Sequence, residues 1–261
     1  MKINSAVNGI VWGPLIIVLI IGTGTYLSIN TKFFSITKIG YVLKNTLLKM
    51  FAKDDKGEGE VTAFQAVATA LAATVGTGNI AGVATAIALG GPGAVFWMWL
   101  AAIMGMTTKF AEVVLAVNYR EKTPDGRFVG GPMYYITNGL GKNWKWMAVL
   151  FAFFGTFASF GIGCMVQSNS VALSAQSTFG VPVMVTGIVL AILTGAVIIG
   201  GIKRIGAFTE KLVPFMSAIY IVGGLWLIIA NASQLPRAFS LIFTNAFTGT
   251  AAVGGFAGTV M

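Results

Sequence analysis

The sequence predicts an all-α protein that crosses a membrane several times. Hydrophobic residues make up 56% of the 261 residues and charged residues only 10%, against roughly 25% charged residues in ordinary soluble domains. A soluble helical core would need polar helix faces, which the apolar segments lack. Six segments have about the length of a membrane-spanning helix, namely residues 9–29, 64–90, 93–118, 146–178, 181–201 and 212–230.

The loops between these segments alternate between basic and neutral, which predicts an orientation. The turns at Gly91-Pro92 and before Val181 contain no basic residue. Basic loops face the cytoplasm. The chain is therefore expected to cross the plasma (inner) membrane with its N-terminus on the outer side. The net charge of +9 is explained by this orientation and by anionic membrane lipid, and does not indicate nucleic-acid binding. The three basic loops carry Lys32, Lys38, Lys44, Lys49, Lys53 and Lys56; Arg120, Lys122, Arg127, Lys142 and Lys145; and Lys203, Arg204 and Lys211.

The first segment is expected to remain in the mature protein. It follows Lys2, as the apolar part of a signal peptide would, but no A-x-A-like cleavage site follows it. Residues 1–30 are therefore predicted to form an extra N-terminal helix, and residues 31–63 a basic cytoplasmic loop.

The second segment is predicted to be broken at its centre. Thr74-Val75-Gly76-Thr77-Gly78-Asn79 combines residue types that weaken a helix interior. Unwound backbone survives at membrane depth only where protein or water surrounds it, and transporters build binding sites from such broken helices. The alternative, which the residues leave open, is a tight helix crossing at glycine.

An opening at this position would expose ligands of both polarities. Backbone carbonyls of Ala72, Thr74 and Val75 and the side chain of Asn79 suit a hard cation such as Na⁺. The N–H groups of Gly78 and Asn79, at the positive end of the next half-helix, suit an anionic group. A zwitterionic amino acid fits both.

Two further polar features remain ambiguous from the residues alone. Lys109 and Glu112 lie three positions apart on the third segment and can pair on one helix face, either as a gate or as a structural pair near the membrane interface. Residues 146–178 are predicted to form one long helix with a stripe of Ser159, Gly163, Cys164 and Gln167. Gln167 would bond a neighbouring helix or reach a substrate.

The remaining connections have local signals. Pro124-Asp125-Gly126 predicts a turn, and Pro132 is a plausible start for a short helix that ends near Gly141. Residues 233–261 are expected to contain an amphipathic helix at the outer interface, with Phe239, Phe243 and Phe247 on one face. The sequence after Gly254 has no polar tail, so we expect the chain to be an incomplete portion of a longer protein.

Enzymatic chemistry is not indicated. The chain has no histidine and one cysteine, Cys164, and it lacks a phosphate-cradling GxxxxGK[ST] loop. We therefore assign no catalytic residue, no cofactor and no transition-metal site.

Residues 90–106, GGPGAVFWMWLAAIMGM, closely resemble the signature of the sodium:alanine symporter family, and residues 73–84, ATVGTGNIAGVA, resemble its first core helix. Residues 75–79 are also similar to the VGLGN of neurotransmitter:sodium symporters, with Thr77 in place of leucine. The resemblance implies Na⁺-coupled uptake of alanine or glycine through a leucine-transporter-like fold of two inverted five-helix repeats.

The resemblance also implies roles for individual residues. Ala72 and Val75 would give backbone oxygens to one Na⁺, and Thr74 and Asn79 would bind a second. The substrate would be lined by Thr74, Thr77, Gly78 and, from the fourth segment, Gln167.

One departure from the family pattern concerns completeness. Residues 64–232 correspond to one five-helix repeat, and the second repeat is missing, so the chain alone is expected not to transport. A non-transporting half-length membrane protein that acts as an assembly partner or is inert is the alternative. A channel-like homodimer is less compatible with the asymmetry of the basic loops, because both copies would insert with the same orientation.

Overall fold

A computed structural model describes residues 14–48, 61–161 and 163–260 of the chain. It confirms an all-α polytopic membrane protein. The start of the first predicted segment (residues 9–13), Lys49, Lys53, Lys56 and Met261 lie outside the described residues.

The helices begin and end as follows: α1 (Pro14–Asn30), α2 (Phe34–Thr37), α3 (Ile39–Leu43), α4 (Ala63–Thr74), α5 (Ala81–Gly90), α6 (Ala94–Asn118), α7 (Pro132–Leu140), α8 (Lys145–Gly161), α9 (Met165–Phe179), α10 (Val183–Ile198), α11 (Gly201–Ala230), α12 (Leu235–Asn245) and α13 (Gly249–Val260). A π-helical turn spans Lys44–Leu48, and 3₁₀ turns span Thr77–Asn79, Lys142–Trp144 and Ala232–Gln234. Strands β1 (Glu121–Lys122) and β2 (Phe128–Val129) form an antiparallel hairpin around the predicted turn at Gly126.

The described part of the chain contains helices of membrane length. By length and composition, Ala94–Asn118, Lys142–Phe179 and Gly201–Ala230 can each cross a membrane, and α4 with the following Thr77–Gly90 makes a fourth if the bent pair is one span. The surface agrees with this, because large apolar side chains such as Phe160, Phe179 and Ile199 are 73–86% exposed. The fully buried hydrophobic residues are nearly all alanines, so the helices meet through small side chains and turn large ones outward.

Two segment boundaries differ from the prediction. The expected single helix over residues 146–178 is interrupted, since α8 ends at Gly161, Gly163 and Cys164 form a turn, and α9 begins at Met165. Closely spaced glycines lower helix stability there. The predicted stripe of Ser159, Gly163, Cys164 and Gln167 therefore does not lie on one helix.

The last predicted loop is also helical. α11 begins at Gly201, whose φ of 68° closes a tight turn after α10, and not at Leu212. Lys203, Arg204 and Lys211 thus lie on the helix, as their good helix propensity allows.

The described residues form two compact units. Those of the first unit lie within Met1–Thr46, Gly78–Glu112 and Ile221–Met261. In it, α13 packs against α5 at a glycine contact: a Cβ on Gly90 would lie 2.7 Å from the Gly254 Cα. A helix forms at the predicted place as α12, but it ends at Asn245, so Phe247 lies beyond it. Phe243 packs against Phe96 and Trp99 at ring distances of 6.0 and 6.5 Å.

We expect Gly90→Ala to destabilise the protein by about 1–3 kcal/mol, because the added methyl overpacks a backbone contact that cannot relax cheaply. Thermal unfolding in detergent measures the change. Gly22→Ala is the matched control, since nothing lies within 4 Å of a Cβ at that helical position. Equal stability of the two variants would contradict the close crossing of α5 and α13.

The second unit contains Leu47–Thr77 and Val113–Tyr220. Within it, α4 crosses the start of α11, where a Cβ on buried Gly206 would lie 3.5 Å from the Gln65 Cβ and the Thr69 and Thr209 hydroxyls are 3.0 Å apart. The short predicted helix is confirmed as α7, with Pro132 in its first turn, and packs against α8. α9 packs against α10.

Candidate functional site

The predicted break in the second segment is confirmed. A capping box between Thr62 and Gln65 begins α4, and its regular bonding ends where the Val75 N–H donates to the Leu71 carbonyl at 2.8 Å. Val75 itself is extended, with φ −89° and ψ 108°. The carbonyls of the last turn of α4, including those of Ala72 and Thr74, therefore lie at a helix C-terminus, the negative end of the helix dipole.

The chain resumes helical structure through a short turn. Thr77, Gly78 and Asn79 form a 3₁₀ turn, and α5 begins two residues later at Ala81. The backbone N–H groups at such a start point toward the N-terminal, positive end of the helix.

Gln167 reaches this break from a distant part of the sequence. Its Oε1 atom accepts a hydrogen bond from the Thr77 N–H at 3.0 Å. Gln167 lies in the first turn of α9, so the interruption between α8 and α9 is adjacent to the residue that contacts the broken helix. The predicted bond from Gln167 to a neighbouring segment is therefore observed, and its contact with a substrate stays a prediction.

Gly76 makes room for the Gln167 side chain. A Cβ at position 76 would lie 2.8 Å from the Gln167 Nε2 and 3.3 Å from its Oε1. The φ of Gly76 is not positive, so the glycine serves close approach and not an unusual backbone conformation. The sequence identified Gly76 as part of the break but gave no signal for its partner.

The other predicted ligands lie at the surface of the described chain. Ala72, Thr74, Val75 and Asn79 are exposed, and Gly78 is half-buried. The Thr74 hydroxyl donates to the Ala70 carbonyl at 2.8 Å, while the Thr74 carbonyl lies in the last turn of α4.

The predicted site residues offer two kinds of groups: oxygen atoms that can ligate a hard cation, and backbone N–H groups that can donate hydrogen bonds to a carboxylate. Carbonyl and side-chain amide oxygens are ligands for a hard cation. No cluster of three or more His, Cys, Asp or Glu side chains occurs among the described residues. These are the kinds of groups that the sequence predicted for an ion and a small zwitterion, and their binding role stays a prediction.

The predicted Lys109–Glu112 pair forms, as a local contact. Lys109 Nζ lies 2.9 Å from Glu112 Oε2, and the side chains are 66% and 43% exposed. The two residues belong to one helix, so the ion pair does not join separate elements.

We therefore expect Glu112→Gln to lower the free energy of unfolding by less than about 0.5 kcal/mol, because exposed pairs within one helix contribute about 0.3–0.5 kcal/mol. Thermal unfolding in detergent measures the change. A loss of about 2 kcal/mol or more, rescued by Glu112→Asp, would contradict a purely local pair.

The chain matches one known family and several known proteins. The profile of the sodium:alanine symporter family matches residues 1–261. The chain is 51% identical to "Sodium/alanine symporter AgcS" of Methanococcus maripaludis, with 100% of this chain and 58% of the relative covered. It is 40% identical to "Probable sodium/glutamine symporter GlnT" (97% and 52% covered) and to "Amino-acid carrier protein AlsT" (90% and 51% covered), both of Bacillus subtilis.

The chain thus spans a little over half the length of these relatives. The family match extends over every residue, and identity is well above the level at which relatives share a fold. The chain belongs to the sodium:alanine symporter family, whose members are transporters and not enzymes.

Proposed function

We propose that the protein carries out Na⁺-coupled symport of a small neutral amino acid, alanine or glycine, across the plasma membrane. In this proposal residues 1–30 form an extra transmembrane helix, residues 64–232 form the first five-helix repeat, and residues 233–261 follow it as an amphipathic segment at the outer interface. The partner of this repeat is an inverted second repeat, since alternating access needs one bundle to move against another.

The break in the second segment would bind the coupling ion. Ala72 and Val75 would offer carbonyl oxygens to one Na⁺, and the Thr74 carbonyl and Asn79 side chain would bind a second. Support comes from the helix C-terminus at Thr74, where carbonyl groups leave the regular helical ladder.

The substrate would lie beside the ion, lined by Thr74, Thr77, Gly78 and Gln167. The observation that carries this proposal is the hydrogen bond from the Thr77 N–H to Gln167 Oε1, which joins two predicted substrate contacts ninety positions apart in the sequence. A carboxylate near Na⁺ is stabilised by it, so ion and substrate each raise the affinity of the other. That reciprocity is the basis of coupling.

Small residues favour a small substrate. The proposed pocket is lined by glycine at positions 76 and 78 and by short threonine side chains, and alanine or glycine fits such a pocket. Each additional methylene on the substrate would lower its affinity by only about 1–3 kcal/mol. Larger amino acids would therefore be disfavoured in a graded way.

Uptake of labelled amino acids by proteoliposomes tests the function. The full-length protein that contains this chain is reconstituted, and an inward Na⁺ gradient is compared with a K⁺ gradient of equal size. We expect alanine and glycine to accumulate only with Na⁺, and glutamine to compete weakly. Equal accumulation in both gradients would contradict Na⁺ coupling. Preferred uptake of glutamine would contradict the assignment of alanine or glycine as the substrate.

The predicted orientation has its own test. Cysteine substitutions of Lys38 and Arg127, made in a Cys164→Ser background, are expected to react with an impermeant maleimide only in inverted membrane vesicles. Labelling in intact cells would contradict a cytoplasmic location of the basic loops.

A further inference from the structure

One exposed face of α11 forms a groove that the amino-acid and Na⁺ site does not use. The groove has a volume of about 430 Å³. All of its lining residues are exposed, and they come from the first four turns of the helix: Arg204, Ala207, Phe208, Lys211, Leu212 and Phe215.

The opposite face of the same turns is already packed. Gly206 and Val213 are buried, and Thr209 lies beside Thr69 of α4. Because of helical periodicity, the groove residues lie on the opposite side of α11 from these packed residues. They face the exterior of their unit.

The groove is cationic along its length. Arg204 and Lys211 are two turns apart, about 10 Å along the axis, and neither makes an ion pair with any described residue. Lys203 adds a third exposed cation, and the nearby acid, Glu210, is partly buried on the packed side.

Arg204 is held at the start of the helix by the preceding turn. Its aliphatic stem occupies the space where a side chain on Gly200 would lie. The stem of Arg204 therefore lies over this glycine, at the end of the groove nearest the start of α11.

We propose that this groove binds an anionic phospholipid. α11 has membrane length and composition, so its first turns lie where a helix leaves the bilayer. The phosphate would lie between Arg204, which can bind it through two N–H groups, and Lys211. An acyl chain would run along Phe208, Leu212 and Phe215. Charge favours lipid over a further protein helix, since two unpaired cations would be costly to bury in an apolar protein contact.

Native mass spectrometry of the full-length protein in neutral detergent tests the proposal. Phosphatidylglycerol and phosphatidylcholine with identical acyl chains are titrated separately. We expect one phosphatidylglycerol to be retained in preference to phosphatidylcholine, and millimolar glycerol 3-phosphate not to displace it. The double variant R204Q/K211Q should weaken phosphatidylglycerol binding about tenfold to thirtyfold, because each cation near a headgroup contributes about fivefold.

The matched control is K38Q/K44Q, which removes the same charge from two exposed lysines on the segment containing α3, outside the groove. It should bind phosphatidylglycerol as the wild type does. An equal loss in both double variants would show general electrostatic attraction and overturn the site. Equal retention of the two lipids, or no loss in R204Q/K211Q, would also overturn it and would indicate that another part of the protein covers this face.

Discussion

Gly76→Ala is expected to raise the KM for alanine uptake about twofold to tenfold and to lower protein stability by no more than about 1.5 kcal/mol. The new methyl would lie 2.8 Å from the Gln167 Nε2, so the flexible end of that side chain must move. Its hydrogen bond from the Thr77 N–H would then lengthen or break, at a cost of about 0.5–1.5 kcal/mol. The backbone at position 76 accepts alanine without strain.

A double-mutant cycle shows whether the methyl acts through Gln167. If Gly76→Ala works by displacing this side chain, it should have no additional effect in a Gln167→Ala background. Gly155→Ala is the control, because no heavy atom of the described residues would lie within 4 Å of a methyl added there. Additive effects on KM in the cycle would contradict the contact.

Asn79→Ala should raise the Na⁺ concentration for half-maximal uptake by about tenfold or more. Loss of a ligand to a charged group costs about 1.5–3 kcal/mol, and Asn79 is the one side-chain oxygen that we assign to the ion. Kinetics measured at saturating alanine with varied Na⁺ give the value.

Two companion variants interpret that result. Asn79→Asp retains a side-chain oxygen and should keep Na⁺ affinity within a few fold of the wild type. Asn30→Ala removes an exposed asparagine whose side chain bonds the Tyr26 carbonyl of its own helix at 3.0 Å, and it should change nothing. Unchanged Na⁺ affinity in folded Asn79→Ala would exclude Asn79 from the ion site.

Features that depend on nearby residues could be predicted from the sequence. The break after Thr74, the turn at Gly126 and the helix that starts at Pro132 each follow from glycine or proline within a few positions. The Lys109–Glu112 contact follows from helical spacing alone. In each case the residues that predict the feature lie within two helical turns of it.

Features that depend on distant residues could not be predicted. Nothing around Gly76 identifies Gln167 as its neighbour, and nothing around Gly90 identifies Gly254, since a glycine that permits a close crossing looks the same as one that faces open space. Gly155 shows the difference, because it also lies in an apolar helix and no heavy atom of the described residues would lie within 4 Å of a Cβ added there. The interruption at Gly163 was not predicted because hydropathy remains high across residues 142–179. High hydropathy indicates a membrane segment but does not show whether its helix is continuous.

Equilibrium binding of labelled alanine to the purified full-length protein tests the central claim, that the break and Gln167 together form a Na⁺-dependent amino-acid site. Binding is measured by scintillation proximity in NaCl and in choline chloride, for the wild type and for Gln167→Leu. We predict saturable binding that requires Na⁺. The affinity for alanine should be about tenfold weaker in the variant, because leucine cannot form the hydrogen bonds of the Gln167 side chain. Equal binding in choline chloride, or wild-type affinity in folded Gln167→Leu, would contradict it.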